Sequence, residues 1–554
     1  MALASPIILG TFVVYLIAVL AIGVWGANAT EDQDDYLLGG RGLNIVWATL
    51  SEQASLWSGW LTVGFPGFVY SSGILGMWWF FWCIPGNLLA WGVVAKRLRR
   101  YSTLLKALTL PEFLGKRYGK RYTSVILLAA AGAAYFYFFY VGAQILAGSS
   151  AINNGLGLGE DIGFALTVVI VVGYTLGGGY LAVSLTDVMQ GILMMVLAIA
   201  VPIATIAQFG GFANLINEFN QATDATVSSW TAGQSGLGLW VSIIVLVGFG
   251  LPFLAQPHGV TRYMSMKKPS SIGYGMLIMS LFQGLALVGI PILAFGGILL
   301  FPDIGNVDAL APQMIVETLP PWLAGILLAG IVAAVMSTAD SQLLVVGSTV
   351  GEDAYKGVIA QDASDRQVVL VTRAAVLVAG AIAAGIAWTT PDTVFTAIAF
   401  AWGGLGTTFI APLVLGLWWE RANGAGAVVG MFIGFFGAAA WSQYLSGGPV
   451  IGGRGIFDYY FVLPVLILSL AGDIIVSLLT EPPEEQVSEQ IIEISSPMED
   501  EIALYTGGSS SPGPATADGG STDIMDSLTV TEESVVTEFA KRQSFSDLPS
   551  ATSI

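Results

Sequence analysis

The chain has 554 residues, 55% hydrophobic and only 10% charged, with a mean hydropathy of +0.75. Soluble domains carry about 25% charged residues, so this chain cannot cover its own surface with polar groups and an ordinary soluble domain is excluded; lipid must cover it. The net charge of −18 sits mostly at one end, since residues 481–554 hold 15 of the 38 acidic side chains and, among basic ones, only Lys541 and Arg542.

The N-terminal stretch has no basic leader and no small-residue cleavage pattern, and its apolar run is long enough to span, so it reads as a retained helix. A span takes roughly 20 residues of helix. The pattern predicts an all-α integral membrane protein with about thirteen such helices, near 6–26, 43–71, 73–95, 123–151, 161–180, 186–209, 237–256, 273–301, 321–350, 367–389, 394–419, 423–445 and 456–480. The one cysteine, Cys83, allows no disulfide or thiolate metal site within one chain.

Basic residues orient the chain, because cytoplasmic loops collect Lys and Arg. With the N-terminus outside and the C-terminus inside, the inner loops receive Arg41, the nine basic residues of 95–122, Arg262, Lys267, Lys268, Lys356, Arg366, Arg373 and Arg421. Only Arg454 falls outside, and the outer connections 209–236 and 302–320 contain no Lys or Arg. The location this implies is the cell membrane, with many passes.

Polar side chains and broken backbone at membrane depth belong at protein-lined cavities. Three places stand out. The second span carries "LSEQASLWSGW" (50–60), followed by Gly64, Pro66 and Gly67; a helix interrupted there frees carbonyls such as those of Ala54 and Trp57. The seventh span carries "GFGLPFLAQPHG" (248–259), where two prolines remove donors. The ninth carries "AAVMSTADSQLL" (333–344), with Ala334, Ser337, Thr338 and Ser341 on one helical face.

Spans 2 and 7 each open a block of five, and five is odd, so the blocks have opposite topology. That is the mark of a five-plus-five inverted repeat, here about 43–209 and 237–419, with a site near the midplane. A weakly bound monovalent cation wants several neutral oxygens. Carbonyls at the span 2 break and the hydroxyls of Ser337 and Thr338 supply them. The 1–480 region is thus the membrane domain. The acidic tail 481–554, rich in Gly, Ser and Pro, is expected to stay disordered in the cytoplasm.

The pieces "DDYLLGGRGL" (34–43), "LSEQASLWSGW", "LTLPEFLGKRYG" (108–119), "GGGYLAVSLTDVMQG" (177–191), "QPHGVTRYMS" (256–265), "LAGIVAAVMSTADSQLLV" (328–345), "GEDAYKG" (351–357) and "WGGLGTTFIAPLVLGLWW" (402–419) occur in order over about residues 1–480. In these the chain resembles the sodium:solute symporter family, most of all its sodium/proline branch. The resemblance implies a LeuT-like fold and sodium-coupled symport of a small solute, proline or a related amino acid. Another cargo, such as a monocarboxylate or compatible solute, is the alternative, and a membrane sensor of the same fold a more distant one.

The resemblance also implies a sodium site made of the backbone oxygens of Ala54, Trp57 and Ala334 and the hydroxyls of Ser337 and Thr338. Ser55, Tyr140, Phe249 and Phe253 fall on the substrate side, with Phe249 and Phe253 where proline carriers have Trp and Tyr. Asp187 matches an aspartate near the inner sodium exit, although an acid at the start of span 6 also suits the helix dipole. Proline carriers have an aspartate where this chain has Leu56; Glu52 and Asp340 are the acids available to replace it in ion coupling. No span joins a nucleophile to a base, so an enzyme is not indicated, nor is a nucleic-acid partner. His258, the lone histidine, reads most simply as a hydrogen-bonded helix end.

Overall fold

The computed structural model describes residues 4–27, 38–119, 123–176, 180–224, 226–389, 393–451 and 454–495. The tail beyond residue 495 lies outside the described residues. The described chain is almost wholly helical, apart from a two-residue antiparallel pair, β1 (Val450–Ile451) with β2 (Arg454–Gly455).

Ten helical stretches among the described residues are long and apolar enough to cross a membrane. One of them, Ile45–Leu104, runs 60 residues, which as one straight helix would be about 90 Å against a hydrocarbon thickness near 30 Å. It folds back at Gly73, whose φ is +64° and whose added Cβ would meet the Val227 carbonyl oxygen at 2.2 Å. A left-handed turn and a close backbone approach coincide there, and only glycine permits both.

The elements that position the site come in this order. Helix α1 is Pro6–Ala27, α2 is Ile45–Gly59, α3 is Phe65–Ser72, α4 is Lys96–Leu104, α5 is Leu110–Tyr118 and α6 is Thr123–Ser150. Then come α7 (Glu160–Thr175), α8 (Tyr180–Gln208), α9 (Phe212–Ala222), α10 (Gly236–Val245), α11 (Pro257–Ser265), α12 (Ile272–Leu300) and α13 (Leu310–Thr318). The chain closes with α14 (Pro321–Ser348), α15 (Asp365–Thr389), α16 (Val394–Trp418), α17 (Gly424–Tyr444), α18 (Val462–Leu479) and α19 (Glu485–Ser495). Asn44, Thr109, Thr393 and Asn423 cap α2, α5, α16 and α17 by accepting amide hydrogens with their side chains.

Helix α14 lies at the centre, buried almost continuously from Ala324 to Ser348. The periphery is apolar instead: Val14 and Ile17 on α1, Val169 on α7, Leu281 and Val288 on α12, Leu370 on α15 and Leu468 on α18 are all exposed. Such a belt is what lipid-facing helices require.

Helix α8 starts no later than Tyr180, so Asp187 stands two turns inside it rather than at its first turn. Its expected dipole-capping role therefore does not apply. The basic cluster after the third span is also more than an orientation signal. Arg117 is buried and donates to the carbonyls of Gly416, Trp419 and Ala422. Residues 485–495, expected within the tail, form α19, which docks on α4: Arg100 donates to the Ile494 carbonyl at 2.7 Å and Tyr101 to Gln490 at 2.8 Å, over the buried Ile491.

Candidate functional site

Both helix interruptions read from the sequence are present. In span 2 the break falls at Ser58, with φ 19° and ψ −156°, and the chain then winds as a π-turn over Trp60–Gly64. In span 7 a tight 3₁₀ turn over Leu251–Ala255 ends at Gln256, which is extended (φ −68°, ψ 116°), before α11 restarts at Pro257. A broken helix leaves backbone donors without partners, and here one face of α6 supplies them. Gln144 accepts the Gly59 amide hydrogen at 3.0 Å and donates to Ser58 Oγ at 3.1 Å. Two turns away on the same helix, the Tyr137 hydroxyl accepts the His258 amide hydrogen at 3.1 Å. Nothing in the sequence alone distinguishes Gln144 or Tyr137 from their neighbours. The signal available was their i, i+7 spacing around Tyr140, which reads equally well as ordinary core.

The hydroxyls of α14 face the first break. Ser337 Oγ lies 2.8 Å from the Ala334 carbonyl and 3.4 Å from that of Ala54. Thr338 Oγ1 lies 3.0 Å from the Ser55 carbonyl and 3.4 Å from that of Ala334. Back-bonding within α14 and contact across to α2 thus occur together, and three carbonyls and two hydroxyls gather in a fully buried place. The Trp57 carbonyl accepts the Trp60 amide, whereas the Ser55 carbonyl, not named from the sequence, is among those the hydroxyls touch.

One turn further along, a buried ion pair joins four elements. Arg262 Nη2 donates to Asp187 Oδ2 at 2.8 Å and to Ser55 Oγ and Ser341 Oγ at 2.7 Å each. Its Nε reaches Ser51 Oγ at 3.2 Å and its Nη1 the His258 carbonyl at 2.6 Å. Asp187 Oδ2 also accepts from Ser51 at 2.5 Å. The charge pattern assigns Arg262 to an inner loop, whereas in the fold it is only 1% exposed. The hydroxyl of Ser55, expected on the substrate side, belongs to this cluster.

The acids weighed for ion coupling point elsewhere. Glu52 is fully buried and accepts from Trp91 Nε1 at 3.3 Å, from the Tyr263 hydroxyl at 3.1 Å and from Gln53. Asp340 accepts from Thr175 Oγ1 on α7 at 2.6 Å. Neither is hydrogen-bonded to Ser337 or Thr338.

The substrate-side aromatics form a layer. Phe253 packs against Trp57 and Trp402, and Phe249 against Trp60, Trp79 and Phe395, with ring centroids 4.6–5.8 Å apart. Above this layer opens a cavity of about 830 Å³ lined by Trp79, Phe395, Phe400, Trp441 and Tyr460 among others. A pocket of about 30 Å³ is lined by Arg262 and Ser341 among others.

Comparison with known proteins gives a consistent picture. The sodium:solute symporter family matches residues 36–434. The high-affinity proline transporter PutP of Bacillus subtilis is 33% identical over 483 residues, spanning 85% of this chain and 98% of that one. The sodium/proline symporter of Escherichia coli is 32% identical over 502 residues, spanning 89% and 97%. A solved structure of a Na⁺-coupled sialic acid symporter, substrate-bound and outward-open, overlays with a TM-score of 0.70 at 22% identity, covering 87% of this chain and 99% of that one. That likeness establishes the LeuT-like fold.

Proposed function

The chain belongs to the sodium:solute symporter family, and on that premise we propose that it is a secondary transporter in which sodium, moving inward down its electrochemical gradient, carries proline or a related amino acid. The observation that carries this reading is the meeting of Ser337 and Thr338 with the carbonyls of Ala54 and Ser55 across two separate helices. A monovalent cation dehydrated there replaces its water with carbonyl and hydroxyl oxygens, once the two hydroxyl hydrogens turn away.

In this reading sodium is cargo that also acts as a clamp. Its ligands sit on α2 and α14, so binding draws the two together, and the break at Ser58 is thereby set beside Tyr140, Phe249 and Phe253. The membrane potential contributes about 2.3 kcal/mol per charge for each 100 mV. Release follows on the inner side past Arg262 and Asp187. The N-terminus is outside and the C-terminus cytoplasmic. What supports that orientation is a shared basic face: Arg41 bonds to Ser102 on α4, Arg99 to the Met266 carbonyl, and Arg97 to the Leu417 carbonyl.

The apolar wall of Phe249 and Phe253 favours a second reading in cargo alone, a monocarboxylate or compatible solute. Uptake of radiolabelled proline into proteoliposomes under an imposed sodium gradient, competed by a panel of amino and organic acids, tests both. Proline accumulation that collapses without sodium is expected. Accumulation indifferent to sodium would overturn the coupling.

A further inference from the structure

His258 is the single histidine of the chain and is fully buried at the restart of the span 7 helix. Its partner guides the assignment of its tautomer. The Tyr137 hydroxyl oxygen accepts the His258 backbone N–H at 3.1 Å and lies 2.9 Å from His258 Nδ1, and the assigned tautomer is the one in which that hydroxyl donates its hydrogen to Nδ1. A neutral imidazole whose Nδ1 accepts carries its proton on Nε2.

That Nε2–H has no hydrogen-bond partner among the described residues, although it is buried. Neither has the Tyr140 hydroxyl, whose ring meets the imidazole edge-on at 6.0 Å. Each approaches a group of the broken span 2, His258 the Ser55 carbonyl and Tyr140 the Ser58 hydroxyl, in weak contacts that a bound carboxylate would replace. Gln256, two residues before His258, is held by Nε2 donation to the Trp402 carbonyl at 3.0 Å, while its Oε1 is left without a donor. Buried polar atoms without partners are rare in native proteins and call for an explanation. Two weakly held donors and one acceptor without a donor, near the two helix breaks and at the positive end of α11, match a zwitterion.

We propose that His258 Nε2–H, with the Tyr140 hydroxyl beside it, hydrogen-bonds the carboxylate of the transported solute, and that Gln256 Oε1 accepts from its ammonium group. This rests on the amino-acid transport reading above. It makes His258 a ligand that selects carboxylate-bearing solutes. Leu56 packs against Gly259 on the same turn, and its hydrocarbon keeps the place dry enough for such bonds to discriminate.

Three measurements test it. Sodium-driven proline uptake by the unaltered protein tests the transport reading alone. Next, His258→Ala and His258→Gln are compared with the unaltered protein for proline and for competition by prolinamide, which lacks the carboxylate. His258→Ala is expected to raise the KM for proline roughly 10- to 100-fold, as loss of a hydrogen bond to a charged group does, and to erase the preference for acid over amide, with partial rescue in His258→Gln. An unchanged KM and preference would overturn the assignment. Finally, because the histidine is unique, ¹⁵N-histidine labelling of the unaltered protein in lipid reads the ring directly, without recourse to a variant. A protonated Nε2 whose resonance moves with proline plus sodium, and not with prolinamide, is expected. A proton on Nδ1, or an unmoved resonance at saturating proline, would overturn it. Should another solute be carried in place of proline, the same arms apply to it, and a carried solute without a carboxylate refutes the assignment.

Discussion

Arg262 and Asp187 are paired at 2.8 Å with side chains only 2% and 0% exposed, and the pair ties α11 to α8 through the hydroxyls of Ser51 and Ser55 on α2 and Ser341 on α14. Four segments thus meet on one guanidinium at one end of the site. Breaking a buried pair by removing one partner leaves an unpaired charge and costs about 3–5 kcal/mol. Asp187→Asn and Arg262→Met are each expected to lower the thermal unfolding midpoint in detergent. The double variant should regain most of that loss while sodium-driven uptake stays low. A double variant as unstable as the sum of the singles would show that the two charges do not act on each other.

The hydroxyls of α14 give a second test. Ser337→Ala and Thr338→Ala should each raise the sodium concentration for half-maximal uptake by about tenfold, equivalent to about 1.4 kcal/mol of ion binding, and Thr338→Ser should restore it. Ser280 provides the control, since its hydroxyl only back-bonds the Met276 carbonyl of its own helix. Ser280→Ala with a sodium requirement as altered as that of Thr338→Ala would sink the ion assignment.

Gln144 holds the first break from α6. Gln144→Ala strips the Gly59 amide of its acceptor in a dry place, at about 1–3 kcal/mol. The expected consequence lies in coupling: raising sodium should sharpen the proline KM much less than in the unaltered protein. Gln144→Glu keeps the acceptor and should retain part of the effect. Measuring proline KM at low and high sodium decides it.

Gly59 is the close-approach residue at that break. A Cβ there would lie 2.7 Å from Ala147 Cβ and 2.9 Å from Gln144 Oε1, and overpacking of this kind costs about 1–3 kcal/mol. Gly59→Ala should destabilise the protein, and Ala147→Gly should recover part of the loss when the two are combined. Equal stability of Gly59→Ala and the unaltered chain, read by thermal unfolding, would count against this packing.

Asp308 stands outside the spanning segments, in the connection before α13, and its Oδ2 accepts the Val394 amide at the start of α16. Burial holds its carboxyl up at about 6, above the ordinary 3.8. The folded state therefore prefers the protonated form, and stability from this group is greatest below about pH 4 and falls as pH rises through 6. The difference is roughly 3 kcal/mol at 1.36 kcal/mol per pH unit. Asp308→Asn should flatten the pH dependence of unfolding between 4 and 7 and be the more stable protein at pH 7. Identical slopes would contradict it.

The interruptions at Ser58 and Gln256 were legible because proline, glycine and serine in an apolar run have local physical causes. The face of Ser337 and Thr338 was legible for the same reason, as helical spacing needs only neighbours. Arg262 was misplaced because its charge was weighed against water, and nothing near it in the chain announces Asp187, 75 residues away. Glu52 and Asp340 likewise found partners on other helices, Tyr263 and Thr175.

Composition and periodicity by themselves determined that this chain lives in lipid, that it folds as helices, and where two of those helices must break. Those properties depend on each residue's own side chain and its neighbours within a few turns. Which oxygens meet, which charges pair and which donors are left over at His258 and Tyr140 was decided only when distant helices packed. Hydrogen bonds and ion pairs act over a few ångströms, and linear order does not specify which remote residues come within that reach.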